Sequence, residues 1–303
     1  MTPRVRHIGH VNTGSAYLDH LTDADLSILA GAADAPPADD ASSYLRSHPE
    51  LVEEVLGSPT AFERVLGDPV DDEQLLHASP FLVFAVAVHR VVDDLGHTRF
   101  VEERVGRRMR VPVFDAGQLR EFAVDPARRY FMVEHLTSYT RVMSGPVWVR
   151  RGSRWRRQRF SELDAARLAA TLDGVPEADR PGIYRRLGDL ALFLTGVFPD
   201  HSAARSVHPI ELERLLRSLP AGAEPAPTLA DIELLAGERG AAGLFEWLGP
   251  RWYHAAAERT PVTGLSRLLD DLSTRFDQAR RFLNHLTDRY LFPVRNRWFP
   301  AAE

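Results

Sequence analysis

The sequence predicts an all-α fold, a compact multi-helix array with at most one short β-hairpin near residues 147–157. Three observations support this fold class. Residues that cap and start helices recur along the chain, apolar residues near the C-terminus follow a helical spacing, and only one segment is typical of strands. We expect a single helical domain over 1–303. The alternative is a division into halves 1–145 and 160–303, joined by an arginine-rich hairpin.

Helix starts are marked by capping residues and by prolines. Thr22 precedes an apolar run that opens with two aspartates, which is the pattern of an N-cap followed by acids in the first turn. Ser58, Ser79, Asp125 and His208 each precede a proline, and proline is favoured at the first position of a helix. From these signals and the apolar spacing we predict helices over 23–31, 38–47, 49–56, 59–66, 72–78, 80–95, 98–106, 116–123, 126–143, 161–173 (capped by Ser161), 177–198, 208–218, 229–259 (broken once) and 263–291.

The last predicted helix, over 263–291, has the most regular pattern. Its apolar positions alternate spacings of four and three residues, which is typical of a helix that packs along one continuous stripe. These positions are Leu265, Leu269, Leu272, Phe276, Ala279, Leu283, Leu286 and Tyr290. The charged residues between them, Arg280 and Arg281 included, are expected to form a solvated face. We interpret the segment as a bundle helix, with a dimer seam as the alternative.

A second helix is predicted to be central because residues 187–198 are apolar on all sides. Gly188 and Gly196 lie eight residues apart, close to one helix face, where a neighbouring helix can approach. Phe193 and Phe198 are expected to be buried. This helix is therefore predicted to form the middle of the core.

The composition excludes several chemistries. The chain has no cysteine, which excludes disulfides, thiolate zinc sites and a cysteine nucleophile. All 37 basic residues are arginine, which excludes a lysine Schiff base and a phosphate-loop lysine. The formal net charge of −5 argues against a chain that binds nucleic acid over its whole surface.

No signal peptide or membrane segment is predicted. Residues 1–6 have no apolar stretch behind their charges, and the longest apolar run is 81–88. A membrane-spanning helix needs about 20 predominantly apolar residues. The expected location is therefore the cytoplasm.

Five polar residues interrupt apolar helices and form a candidate polar pocket. They are His89, Asp93, Glu134, His135 and Asp189. Helix bundles build metal sites from inward-facing histidines and carboxylates, so one interpretation is an enzyme with a divalent metal, and His89 and Asp93 would project from one helix face. The other interpretation is a structural network, with Asp189 held by an arginine and the histidines hydrogen-bonded. Because no repeated Glu-x-x-His pattern is present, we predict no cofactor and no metal site.

An arginine cluster lies within the predicted hairpin. Its members are Arg150, Arg151, Arg154, Arg156, Arg157 and Arg159. Arginines interleaved with aromatic residues can hold phosphates and stack on planar anionic groups, so the cluster is a candidate anion-binding site. The alternative is a solvated ribbon that docks on acidic surface, such as that of residues 71–73.

Two strings carry a family resemblance. They are LGDLALFLTGVFPD at 187–200 and RFDQARRFLNHLTDRYLF at 275–292. With them the chain resembles, from about Ser79 onward, a widespread bacterial family of helical proteins whose activity is uncharacterised. In that family asparagine often stands at the position of Asp189. An exchange of Asp and Asn keeps a side-chain hydrogen bond but loses an ionised acid, so the resemblance implies a structural role for Asp189.

The sequence leaves three functions open. The leading prediction is a non-catalytic binding or regulatory scaffold that recognises a macromolecule or a small ligand, because no catalytic motif is found. The alternatives are a helical-bundle enzyme that uses the candidate polar pocket and a polyanion binder that uses the arginine cluster. A protein partner or a homo-oligomer is left open.

Overall fold

The computed structural model of the protein describes residues 13–32, 41–67, 77–104, 110–141, 144–151, 154–220 and 229–293, without the side chains of 41, 104, 144–160 and 229–239. These residues are mostly helical, which confirms the all-α prediction. No helix among them is both long enough and apolar enough to cross a bilayer. The predicted helix over 72–78 lies almost wholly outside the described residues.

Most of the described helices begin near a predicted start, although the helices over Thr13–Leu18 and Pro199–Ala204 were not predicted. The α-helices are α1 (Thr13–Leu18), α2 (Asp23–Ala30), α3 (Ala41–Ser47), α4 (Val52–Leu56), α5 (Pro59–Leu66), α6 (Pro80–His97), α7 (Ala116–Val124), α8 (Pro126–Ser138), α9 (Ala165–Ala170), α10 (Arg180–Gly196), α11 (Pro199–Ala204), α12 (Pro209–Arg217), α13 (Leu229–Glu258), α14 (Gly264–Thr274) and α15 (Phe276–Leu286). The hydroxyls of Thr22, Ser58 and Ser79 accept backbone N–H groups, as predicted for N-caps. The predicted cap at Ser161 is wrong, because Asp164 caps α9.

The chain folds into two compact units. Unit 1 contains Arg104 and Ser138–Arg280, and unit 2 contains the described parts of Ile8–Glu103, Arg110–Thr137 and Arg281–Glu303. The units do not follow chain order, because unit 2 takes residues from both ends of the sequence.

The core of unit 1 is built on α10, which packs most extensively against α13. Leu187, Leu190 and Leu192 of α10 are fully buried, as the all-round apolar pattern predicted. A Cβ atom added at Gly188 would lie 2.7 Å from the ring of Tyr253. The missing side chain therefore lets α13 come close to α10, and the predicted close approach at Gly188 is confirmed.

The long helix α13 bends at Gly240, within the segment that was predicted to be broken once. Gly240 has φ 57° and ψ −144°, a conformation that residues with a Cβ atom rarely adopt. Beyond the bend, the Ala241 N–H donates to the carbonyl of Arg205 at 3.0 Å. The bend thus ties the second part of α13 to the residue that follows α11.

In unit 2, α6 is an 18-residue helix with most of its apolar side chains buried. It ends at His97, where side chains bind its last carbonyls. The Thr98 hydroxyl donates to the Asp94 carbonyl at 2.8 Å, and the Arg120 guanidinium donates to the Leu95 carbonyl at 2.7 Å. These contacts satisfy carbonyl groups that have no partner inside the helix, and they fix its end.

The predicted helix over 98–106 is wrong. Thr98 has an extended backbone, and Val101–Arg104 forms strand β1, which pairs with β2 (Arg110–Val113). This second two-stranded sheet was not predicted. Its physical cause is the capped end of α6, beyond which the buried, β-branched Val101 favours a strand.

The predicted arginine-rich hairpin is confirmed and is longer than expected. Strands β3 (Ser144–Arg151) and β4 (Arg154–Ser161) pair antiparallel, with Arg151 opposite Arg154. The two residues between the strands lie outside the described part of the chain, as do the acidic residues 71–73 that were the alternative docking surface for this hairpin.

The predicted continuous helix over 263–291 is divided. Arg275, with φ −112° and ψ 24°, separates α14 from α15, and a π-helical turn covers Thr287–Leu291. The Ser273 and Thr274 hydroxyls donate to the carbonyls of Asp270 and Asp271 at 2.6 and 2.8 Å, and such local bonds compete with the helical ones. The apolar stripe from Leu269 to Tyr290 is nevertheless buried as predicted.

The prediction that the charged residues of this segment form a solvated face is wrong for Arg280 and Arg281, which are both buried. In unit 1, Arg280 donates to Asp277 at 2.7 Å. In unit 2, Arg281 donates to both carboxylate oxygens of Asp115 at 2.6 and 2.5 Å, and this hydrogen bonding lowers the pKa of Asp115. Both guanidinium groups are buried because carboxylates meet them.

We expect replacement of Gly188 by alanine to destabilise unit 1. The new methyl group would meet the buried ring of Tyr253 at 2.7 Å, and overpacking of this kind costs about 1–3 kcal/mol. The matched control is Gly182→Ala in the same helix, where an added Cβ atom has no neighbour within 4 Å. The control should gain about 0.5–1 kcal/mol from helix propensity. Urea unfolding of both variants measures the two effects, and equal changes would contradict the close approach.

Candidate functional site

The five predicted polar residues do not lie in one unit. Asp189 belongs to unit 1, whereas His89, Asp93, Glu134 and His135 belong to unit 2. Within the described residues, no three His, Asp or Glu side chains are arranged so that they could hold a metal ion. The five are therefore described one by one.

His89 is buried in unit 2 beside an aromatic group. Its Nε2 atom lies 3.2 Å from the Tyr17 hydroxyl, and the two rings are tilted against each other at 5.7 Å. Burial, followed by the nearby positive charge of Arg129, lowers the pKa of His89 to about 3. The imidazole is therefore neutral across the physiological range, and its visible role is a hydrogen bond inside the core.

Asp93 points away from this histidine site. Its carboxylate is half-exposed and lies 3.3 Å from Arg90 and 3.9 Å from His97. The buried acid of α6 is its neighbour Asp94, which accepts a hydrogen bond from the Tyr290 hydroxyl and forms an ion pair with Arg289 Nε at 2.8 Å. Sequence reasoning missed Asp94, because the apolar pattern of α6 does not distinguish two adjacent aspartates.

Glu134 and His135 occupy different surroundings on α8. Glu134 is half-buried, and its carboxylate accepts a hydrogen bond of 3.4 Å from Tyr130. His135 is buried and stacks on Phe131 with ring centroids 5.7 Å apart. Adjacent residues on a helix point in different directions, so the two side chains do not form a pair.

Asp189 is buried in unit 1 between an arginine and a tyrosine. The Tyr253 hydroxyl donates to its Oδ1 atom at 2.8 Å, and Arg185 Nε lies 3.8 Å from Oδ2. Burial raises the pKa of Asp189, although both neighbours act in the opposite direction. An arginine partner was expected in the structural interpretation of the sequence, but the tyrosine was not.

The candidate anion-binding arginines all lie on the β3–β4 hairpin of unit 1. The strand register places Arg151 opposite Arg154, Val149 opposite Arg156 and Trp148 opposite Arg157. Four of the six arginines belong to β4, and the cluster extends from the pair Arg151–Arg154 to Arg159, which is opposite Pro146.

A cleft that the sequence did not predict opens in unit 1. It has a volume of about 510 Å³, which lies within the range typical of small-molecule sites. Its apolar lining consists of Leu163, Phe193, Leu194, Phe198, Ala241 and Phe245. Its polar lining consists of Ser161, Asp164, His201, Ser202 and Arg205.

Two hydrogen bonds hold the walls of the cleft together. The Ser202 hydroxyl on α11 donates to the Leu194 carbonyl near the end of α10 at 2.7 Å. The Ala241 N–H donates to the Arg205 carbonyl at 3.0 Å, just after the bend at Gly240. These bonds connect α10, α11 and α13 and hold the walls of the cleft in place relative to one another.

An aromatic row leads into the cleft. Tyr139 stacks on Phe193 at 3.9 Å, Phe193 meets Phe198 edge-to-face at 5.5 Å, and the Arg186 guanidinium lies over Tyr139 at 4.4 Å. The predicted burial of both phenylalanines is wrong, since Phe193 is half-buried and Phe198 is 41% exposed. The residue before a proline is driven out of the helical region, so Phe198 ends up at the junction of α10 and α11, and Pro199 was the signal available in the sequence.

The serines, histidine and aspartate of the cleft do not form a hydrolytic triad. Ser202 uses its proton for the Leu194 carbonyl, and Ser161 Oγ accepts the Leu163 N–H at 3.3 Å. Asp164 caps α9 by accepting the Arg167 N–H at 3.1 Å. A nucleophilic serine needs a hydrogen bond to a base, and neither serine lies within such a bond of His201.

Unit 2 carries a separate exposed aromatic pair. Phe100 is 44% exposed and Phe114 is 77% exposed, and their ring centroids are 5.7 Å apart. They flank the β1–β2 sheet, which the sequence did not predict. Single exposed apolar residues are common on protein surfaces, so this pair alone assigns no function.

The chain matches no family model, no curated protein and no solved structure. The family resemblance therefore stays a prediction, and the functional argument depends on the geometry of the sites alone.

We expect the free energy of unfolding of the Asp189→Asn variant to increase, relative to that of the natural protein, as the pH rises. The pKa of Asp189 is raised in the folded state, so the folded protein holds this proton at pH values where the unfolded chain has released it. The natural protein therefore loses stability as the pH rises from about 4, the usual pKa of an aspartate, to the raised pKa of Asp189 in the folded state. The asparagine cannot ionise and keeps an acceptor for Tyr253.

Urea unfolding midpoints of both proteins at pH 4, 5, 6, 7 and 8 measure this difference. A variant that loses stability relative to the natural protein between pH 4 and pH 8 would show that the ionised carboxylate is favoured there. The exposed substitution Asp173→Asn in the same unit is the control for the loss of one negative charge.

Proposed function

We propose that this protein is a non-catalytic binding protein that holds a small, largely apolar ligand in the cleft of unit 1. The observation that carries the proposal is the cleft itself, about 510 Å³ of space whose described lining includes six apolar residues. Ligand sites in proteins are typically concave, mostly apolar and formed in advance, with a few polar groups that set orientation.

The exposure of Phe198 supports this function. A phenylalanine that is 41% exposed leaves part of its ring in water, which is unfavourable by about 25 cal/mol for each Å² of apolar surface. A ligand in the cleft would cover that surface and would add an aromatic contact to Phe193 and Phe198. The hydrogen bonds of Ser202 and Ala241 would keep the cost of ordering the site low.

The hydrogen bonds of the cleft also favour binding over catalysis. Both serine hydroxyls are engaged with backbone groups, and Asp164 is engaged with the N-terminus of α9 and with the Arg167 side chain. These residues stabilise the walls of the cleft. His201 is exposed on α11 and is the side chain best placed to make a hydrogen bond to a ligand.

We expect the uncharged dye N-phenyl-1-naphthylamine to bind in the cleft and Phe198→Ala to weaken that binding about tenfold. Loss of one aromatic contact is worth about 0.5–1.5 kcal/mol, and about 1.4 kcal/mol corresponds to a factor of ten in Kd. The fluorescence of the dye rises in apolar surroundings, so titration of the protein gives Kd directly. Because Phe198 is exposed, its truncation should leave the fold intact, which circular dichroism checks.

The control is Ile210→Ala, which removes an exposed apolar side chain of unit 1 that does not line the cleft. Its Kd should equal that of the natural protein. No saturable binding, or equal weakening by both substitutions, would overturn the proposal.

The arginine hairpin supports a second candidate function, local binding of a polyanion. The observation in its favour is the strand register, which brings the backbones of Arg151 and Arg154 opposite each other and places Arg156 and Arg157 next along β4. Positive charges gathered on a hairpin can bind a row of phosphates or sulfates by releasing counterions. The net charge of −5 would confine such binding to the hairpin.

We expect replacement of Arg154, Arg156 and Arg157 by alanine to abolish most of any binding to heparin. Each arginine that contacts an anionic group contributes about one to the slope of log K against log salt, so the slope should fall by about three. The matched control replaces Arg214, Arg217 and Arg267, three exposed arginines of the same unit. Equal salt slopes for the two triple variants would rule out a specific role for the hairpin.

A further inference from the structure

Among the described residues that line the cleft, the aspartate and the arginine are each paired within the protein. Arg205 donates a hydrogen bond to Glu211, and the carboxylate of Asp164 forms an ion pair with Arg167 Nε at 2.8 Å. The partners of these two lining residues, Glu211 and Arg167, do not themselves line the cleft.

This pairing has a consequence for the ligand. An anionic ligand at Arg205 would have to compete with Glu211, and a cationic ligand at Asp164 would have to compete with Arg167. A charged group that enters an apolar cleft loses its hydration, and it binds well only where an unmatched opposite charge replaces that hydration. The paired lining therefore disfavours ions of both signs.

The apolar lining favours a planar aromatic ligand. Phe193 and Phe198 meet edge-to-face at 5.5 Å, and Tyr139 extends the row behind Phe193 at 3.9 Å. Aromatic rings prefer such edge and offset contacts, which add to the free energy gained from buried area alone. Phe198 lines the cleft and is 41% exposed, so the exposed part of its ring can contact a ligand ring there.

We infer that the cleft selects uncharged, planar aromatic molecules, and that the Arg205–Glu211 ion pair excludes anionic ones. This inference rests on the proposed ligand-binding function and adds the chemical class of the ligand. Glu211 does not line the cleft and acts as a specificity-determining residue by keeping Arg205 occupied.

Two dyes that share one aromatic skeleton test the charge selection. N-phenyl-1-naphthylamine is uncharged, and 1-anilinonaphthalene-8-sulfonate adds one sulfonate to the same rings. We expect the uncharged dye to bind to the natural protein at least about tenfold more tightly, because the one arginine among the described lining residues, Arg205, is already paired with Glu211. The binding of the uncharged dye should also depend on Phe198.

The substitution Glu211→Gln tests the role of the ion pair. It should release Arg205 and tighten the binding of the sulfonated dye about tenfold or more, while the Kd of the uncharged dye stays the same. The matched control is Glu213→Gln, which removes the same charge from the same helix, where Glu213 is paired with Arg217 outside the cleft. The control should leave both Kd values unchanged.

Displacement by 2-naphthol and by its saturated counterpart, decahydro-2-naphthol, tests the preference for aromatic rings. The aromatic alcohol should displace the uncharged dye at a several-fold lower concentration. Equal displacement by the two alcohols, equal binding of the two dyes, or no response to Glu211→Gln would each overturn the inference. In each of these three outcomes the uncharged dye would still bind in a way that depends on Phe198, so the proposed binding function would stand. The binding function itself fails if Phe198→Ala changes the Kd of neither dye.

Discussion

The contact between α10 and α13 at Tyr253 sets the architecture of unit 1. Gly188 provides the space for the tyrosine ring, and the next residue, Asp189, accepts the hydrogen bond of its hydroxyl at 2.8 Å. Two adjacent residues of α10 therefore fix both the distance to α13 and the orientation of the buried tyrosine. A larger residue at the first position would push the helices apart, and an apolar residue at the second would leave the hydroxyl without this acceptor. Since α10 and α13 make the most extensive contact of the unit, the positions of the shorter helices follow from theirs.

The cleft is a product of the same two helices at the points where they stop being regular. α10 ends at Gly196 and turns through Phe198 and Pro199 into α11, while α13 bends at Gly240. Both interruptions expose backbone groups, and the bonds from Ser202 to Leu194 and from Ala241 to Arg205 satisfy some of them. Regular helices would have packed their side chains together along this stretch. The space that is left is therefore fixed by backbone geometry, which explains how an apolar cleft persists in a well-packed unit.

Much of the fold was predictable because its determinants are local. Thr22, Ser58 and Ser79 cap their helices through their own hydroxyls, and the buried stripe from Leu269 to Tyr290 follows from a spacing that can be read directly. The errors arise where distant residues decide. The burial of Arg281 depends on Asp115, which is far away in the sequence, and the end of α6 depends on Arg120. The cleft combines residues from β4, α10, α11 and α13, so no single segment could have revealed it. Phe198 was the exception, because Pro199 marks the helix junction that exposes it.

Two sets of polar residues differ in their exposure to solvent. One set was predicted from the sequence as a polar pocket, and the other lines the cleft. His89 and Asp189 are buried, with a tyrosine hydroxyl next to each of them, and burial shifts their pKa values so that the neutral forms are favoured. Such groups stabilise or orient the core and do not meet solvent. Asp164 and Arg205, by contrast, are partly exposed at the cleft, and each forms an ion pair with a residue beside it. A pair of this kind adds little to stability when it is accessible to water, but it determines which charge the site presents to an incoming molecule. In the proposed binding function, this pairing would select ligands by charge and the aromatic row would select them by shape.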